Sequence, residues 1–207
     1  GIGETLYMTL VSTLFGYLFG LPMGILLTIT DREGIKPNVV LYKILDIFAN
    51  IVRSVPFLIL LIVLIPLARF IVGKSYGSSA TIVSLAAAAI PYIARMVESS
   101  LREVDAGVIE AARSMGASTF TIVTKVMLVE ARTSLIVGVT ISLGTILGYS
   151  AMAGTLGGGG LGDIAIRYGY YRYEAGIMAV TVILLIVLVQ IFQTVGMKLS
   201  VHLDKRK

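Results

Sequence analysis

Five runs of apolar residues, 5–30, about 51–68, about 79–97, about 133–153 and 175–197, dominate the chain, and charged residues flank them. A spanning helix takes about 20 apolar residues, because roughly 30 Å of hydrocarbon is crossed at about 1.5 Å per residue and every backbone polar group must be satisfied internally. Arginine at a bilayer centre costs about 2.5–3.5 kcal/mol, whereas each Leu or Ile returns only about 0.3–0.6. Arg53, Arg69, Arg95, Arg132 and Lys198 therefore mark span ends. The chain has 207 residues, 57% of them hydrophobic and 14% charged, with a mean hydropathy of +0.93, which leaves little beyond the spans. The expectation is an all-α integral membrane protein with a single transmembrane domain over 1–207 and five spans.

An odd number of spans puts the termini on opposite sides. With the N-terminus outside, thirteen of the seventeen Lys and Arg residues fall inside, a strong positive-inside bias over short loops. This predicts N-terminus out, C-terminus in, and residues 98–131 facing the cytoplasm. The net charge of +5 is then accounted for by topology, without a nucleic-acid partner. There is no cysteine, and the one histidine, His202, lies near the C-terminal end. Cys/His metal sites, thiol nucleophiles and Ser-His-Asp triads are excluded, so neither a catalytic nor a metal-ligating residue is expected. No Lys or Arg precedes the first run, so 5–30 reads as a retained helix rather than a cleavable signal.

Residues 39–53 place Lys43, Asp46, Asn50 and Arg53 at spacings of three, four and three, a polar stripe on an apolar helix. It is either an interfacial helix leading into the second span or the lining of a cytoplasmic vestibule. Pro22, Pro56, Pro66 and Pro91 fall within or beside spans, where neighbouring helices can absorb a lost hydrogen bond. The glycine cluster 154–162 contains Gly157, Gly159 and Gly162 at G-x-G-x-x-G spacing, but a span precedes it. A re-entrant turn or close helix approach suits it better than a dinucleotide site. "VGKS" at 72–75 lacks the upstream glycine of a phosphate-binding loop.

Between the third and fourth spans lie about 34 residues, long for a connection. They predict a helix from Asp105 through Met115 closed by Gly116, then a second helix capped by Ser118. Ala111 and Ala112 provide a side with little bulk for close approach to another protein, and Glu110 can pair with Arg113 or with a partner's basic group. An amphipathic helix on the bilayer surface is the alternative.

"EAARSMG" at 110–116, followed nine residues later by "VML", resembles the EAA loop of bacterial ABC importer permeases, with Val129 where that pattern has proline. The substitution predicts a softer bend before the fourth span. "RSVPFLILLIVLIP" (53–66), "PYIARMVESSL" (91–101) and "GYSAMAGTLGGGGLGDIAIRYGYYRY" (148–173) resemble permease subunits of methionine importers over roughly 4–200. The resemblance implies a type I ABC importer permease core in the bacterial inner membrane. Glu110, Ala111, Ala112, Arg113, Met115 and Gly116 would form the coupling helix that docks on an ATPase. It also implies a homodimer, two separate ATP-binding-cassette subunits carrying ATP and Mg, no cofactor in this chain, and an external substrate-binding lipoprotein.

A path for an amphipathic zwitterion should be mostly apolar with a few uncharged polar groups. Thr140, Ser142, Thr145, Tyr149, Ser150 and Met152 interrupt the fourth span accordingly, and Asn50 offers a further polar group. Tyr149 and Met152, three residues apart, are assigned to the path and to a gate where Met152 meets its dimer mate; a packing role for Met152 is the alternative. An ion-driven secondary transporter is disfavoured because Asp46 alone of the acidic residues lies near a span interior, and an intramembrane enzyme because no span pairs a nucleophile with a base.

Overall fold

The computed structural model describes residues 1–203, and these contain helices, turns and loops but no strand. Four helices are long and apolar enough to cross a membrane. They are α1 (Ile2–Thr30), α5 (Ser78–Arg102), α7 (Arg132–Ala153) and α9 (Ala175–Leu203). Between α1 and α5 lie α2 (Val39–Ser54), α3 (Phe57–Val63) and α4 (Ile65–Val72). The short helix α6 (Ala106–Ser114) precedes α7, and α8 (Gly160–Ile164) follows it.

The second apolar run does not form one continuous helix. The chain turns by 105° between α2 and α3, at Val55 and Pro56, and breaks again at Leu64. Pro56 has no N–H to continue α2, and the residue before a proline is pushed into extended backbone; Val55 adopts φ −80°, ψ 126°. Pro22 and Pro91 do not interrupt α1 and α5. A bend thus needs more than a proline within an apolar run.

The centre of the molecule is the α1–α5 pair. Gly16, Gly20 and Gly24 recur every four residues and turn a flat stripe of α1 toward α5. A Cβ on Gly16 would lie 2.9 Å from the Ala89 Cβ, one on Gly20 2.8 Å from the Ile90 carbonyl oxygen, and one on Gly24 2.6 Å from the Ala94 carbonyl oxygen. Small residues at this spacing let two helix backbones meet where lipid supplies no hydrophobic drive for association. Around that contact Met8, Leu85, Ile93, Val97 and Ile146 are fully buried, joining α1, α5 and α7 into one core.

The glycine cluster closes the far end of α7. Gly157, Gly159 and Gly160 adopt φ of 73°, 83° and 78°, a left-handed run that non-glycine residues resist. The backbone N–H groups of Gly160 and Leu161 then donate to the Glu4 carboxylate (2.7 Å) and the Thr5 hydroxyl (2.9 Å) of α1. The cluster follows helix α7 and opens with a 3-10 turn, so it does not form a strand-led nucleotide loop. "VGKS" likewise sits where α4 ends at Gly73, φ 77°.

Candidate functional site

The segment 105–118 is built by local rules. The Asp105 carboxylate accepts from the N–H groups of Gly107 (2.7 Å) and Val108 (3.3 Å), capping the donors that α6 cannot pair within itself. At the other end Gly116 N–H donates to the Arg113 carbonyl and Ala117 N–H to the Ala112 carbonyl, with Gly116 at φ 79°. That pair of bonds is a Schellman motif, and it explains why glycine follows Met115. Ser118 then accepts from Thr121 N–H and starts the next helical stretch.

That stretch, 119–130, contains wider π turns over Ile122–Met127 and stays helical through Val129. The break before α7 comes at Ala131, with ψ 0°. It falls two residues after the position where the resemblance expects proline.

The two alanines of α6 do not share a role. Ala111 is exposed, while Ala112 is 6% exposed and packed with Ile122, Val123 and Met127 of its own chain. The expectation that both offer a low-bulk side to another protein is corrected: Ala112 anchors α6 to the π turns. Val108, Ala111 and Met115 instead face outward at spacings of three and four, Met115 being 81% exposed. Glu110 and Arg113 flank this apolar strip. They also line a cleft of about 490 Å³ whose other wall includes Asp31, Glu33 and Arg102.

The residues assigned to a path separate on folding. Met152 is 51% exposed and lies on an outward strip of α7 with Ile141, Thr145 and Gly148. Tyr149 leans to the side and stacks on Phe57 of α3, with ring centroids 4.3 Å apart and planes within 4°. The Thr145 hydroxyl donates to the Ile141 carbonyl (3.0 Å) and lies 3.3 Å from the Tyr92 hydroxyl. Ser150 does not join them: it is 1% exposed and its hydroxyl donates to the Leu147 carbonyl at 2.7 Å. Ser142 and Thr140 are also buried within the protomer. A groove of about 490 Å³ between α7 and α9 adds Gln193 and Met197 beside Thr145. A glutamine inside a strongly apolar run was a visible signal of that groove.

Asn50 lies elsewhere, accepting from Arg95 Nη2 at 3.1 Å. Asp46 pairs with the same guanidinium nitrogen. Two of the four stripe residues on α2 are thus held by α5 within the protomer. Asp46 is also not the lone carboxylate near a span interior: Glu98 of α5 is 5% exposed and bridges Arg95 (2.7 Å) and Arg102 (2.8 Å). The spacing Arg95, Glu98, Arg102 is legible as one helix face, although of the three only Arg95 marks a span end in the sequence.

Comparison with known proteins agrees with this architecture. Residues 20–206 match the family described as "Binding-protein-dependent transport system inner membrane component". The probable D-methionine transport system permease protein MetI of Vibrio cholerae is 50% identical over 203 residues, 98% of this chain and 90% of that protein. The D-methionine transport system permease protein MetI of Salmonella typhimurium is 51% identical over 154 residues, 74% of this chain and 71% of that protein. A chain of the MetNI methionine ABC transporter, solved in inward-facing conformations, superposes with a TM-score of 0.97 at 47% identity, covering 99% of this chain and 95% of that one. The chain belongs to the family of binding-protein-dependent transport system inner membrane components.

Proposed function

We propose that this chain is the transmembrane subunit of an ATP-binding-cassette importer for methionine, a multi-pass protein of the bacterial inner membrane. Two copies form the translocation path, and each docks α6 on a separate ATPase subunit. The family match supports the transport role, and the MetI relatives and the MetNI neighbour support the substrate class. The observation that carries the coupling role is α6 itself. A nine-residue helix, capped at both ends and anchored through Ala112, leaves Val108, Ala111 and Met115 exposed. An exposed apolar strip rimmed by charge is the signature of a protein contact.

We assign five spans, counting the bent α2–α3 pair as one broken span, with the N-terminus outside and α6 in the cytoplasm; the distribution of Lys and Arg supports this. An external binding lipoprotein delivers substrate at the opposite face. The outward strip of α7 lines the path, with Thr145 and Tyr149 as its uncharged polar groups and Met152 meeting its dimer mate as a gate. A flexible thioether suits a contact that must form and part, because it packs in several geometries at similar energy. ATP binding on the partners draws them together, the two α6 helices move with them, and access alternates. The driving force is the differential affinity of nucleotide for the closed ATPase pair. Bond-breaking chemistry belongs to that partner.

The test is ATP-driven uptake of labelled methionine into proteoliposomes holding this chain, its ATPase and its binding protein, with histidine and glutamine as competitors. Saturable uptake displaced by methionine alone is expected. Transport of a different solute would retain the coupling role and discard the substrate. Met152→Ala is expected to raise the leak without ATP severalfold while leaving assembly with the ATPase intact. Unchanged uptake and unchanged leak would reduce Met152 to a packing residue.

A further inference from the structure

An unbroken chain of ion pairs starts four residues before α6. Arg102, the last residue of α5, donates from Nη2 to Glu98 Oε1 (2.8 Å) and pairs with Asp31 Oδ2 (2.8 Å) in the loop after α1. Glu98 Oε2 accepts from Arg95 Nη1 (2.7 Å), and Arg95 Nη2 engages Asp46 and Asn50 of α2. From Asp46 the path is helical: α2 runs to the Val55–Pro56 elbow, and Phe57, the first residue of α3, stacks on Tyr149. The links from the base of α6 to the path-facing helix are thus the short turn 103–105, directional ion pairs, helix α2 with its elbow at Val55–Pro56, and a ring stack. We infer that Glu98 and Arg95 are positioning residues that transmit displacement of α6 to α2 and so to the Phe57–Tyr149 contact.

Two features favour this role over plain reinforcement. A buried ion pair is a poor stabiliser, because desolvating both charges offsets most of their attraction and an apolar pair of similar volume often serves as well. Directional hydrogen bonds, by contrast, specify one arrangement of three elements and resist sliding between them. Among the described residues, Arg95 also keeps its Nε–H buried without a partner. An unpaired buried donor costs stability, which a cluster serving only to reinforce the bundle would not retain. Ion-pair and hydrogen-bond networks that join several elements are among the structures that carry coupling between distant sites.

The inference rests on the proposal that α6 docks on the ATPase, and the experiment separates the two. Methionine imported per ATP hydrolysed is measured in proteoliposomes for the wild-type complex and for Glu110→Lys, Glu98→Gln, Glu98→Asp and Asp46→Asn, with co-purification of the ATPase as the assembly readout. If Glu110→Lys leaves uptake intact, docking through α6 fails and this inference fails with it. With docking standing, Glu98→Gln should keep the ATPase bound and hydrolysing while import per ATP falls about tenfold, within the range of ordinary coupling energies. Glu98→Asp should recover part of the ratio, and the partly exposed Asp46→Asn should lower it less. A parallel loss of hydrolysis and import, or an unchanged ratio, overturns the inference. If Glu98→Gln does not assemble, the ratio for Asp46→Asn decides by the same criterion.

Discussion

Glu110→Lys should abolish ATP-driven transport while the chain still folds and inserts. The side chain is exposed and the structure gives it no ion pair or side-chain hydrogen bond among the described residues, so the folded protomer loses little. Surface changes of that kind usually fall within about 0.5 kcal/mol. At a docked interface the balance is different. Reversing a charge that meets a basic partner group removes an attraction and adds a repulsion, costing about 2–5 kcal/mol when the pair is desolvated. That corresponds to roughly 30-fold or more in association. Expression, thermal unfolding and membrane insertion should match wild type, while co-purification with the ATPase and uptake should collapse. A variant that still bound and drove the ATPase would overturn docking through α6, and with it the coupling inferred for Glu98 and Arg95.

Gly20→Leu should have the opposite profile, damaging the protomer before any partner is met. Its Cβ alone would come within 3.0 Å of the Ile93 side chain and 2.8 Å of the Ile90 carbonyl oxygen. The carbonyl belongs to a helix backbone and cannot rotate aside. α1 and α5 must therefore separate along the Gly16–Gly24 stripe, uncovering the packing around Ile93 and Val97. Overpacking in a close-fitted core costs about 1–3 kcal/mol, and here the loss extends along several turns. Folded yield and the midpoint of thermal unfolding in detergent should both drop, and Gly20→Ala should be milder. A Gly20→Leu protein with wild-type unfolding would mean that α1 is free to move away from α5.

The two variants also divide what can be read along the chain from what cannot. The role proposed for Glu110 follows from a short string of residues, whereas the importance of Gly20 depends on which residues of α5 arrive opposite it. Gly16, Gly20 and Gly24 were visible as a four-residue repeat, but a glycine stripe does not name its partner helix.

Sequence alone determined the properties that depend on near neighbours. The long apolar runs follow from transfer energies summed over about 20 residues, and four of the five became single helices. The bounds of α6 follow from caps that act within one turn: Asp105, Gly116 and Ser118 behave as their side chains and φ preferences require. Tertiary structure decided everything that needed two distant segments to meet. Pro56 breaks its run while Pro22 and Pro91 do not, because tolerance of a missing hydrogen bond depends on what packs around it. Ala112 faces inward only because the π turns at 122–127 fold back against it. Ser150 and Thr145 lie on one helix, yet the packing of α7 buries the first and leaves the second beside a groove. Nothing adjacent in sequence marks Glu98 as the centre of a network; α2 and the loop after α1 bring Asp46 and Asp31 to its two arginines. Local preferences are written residue by residue, but a contact between residues 46 and 95 exists only when the whole bundle has closed.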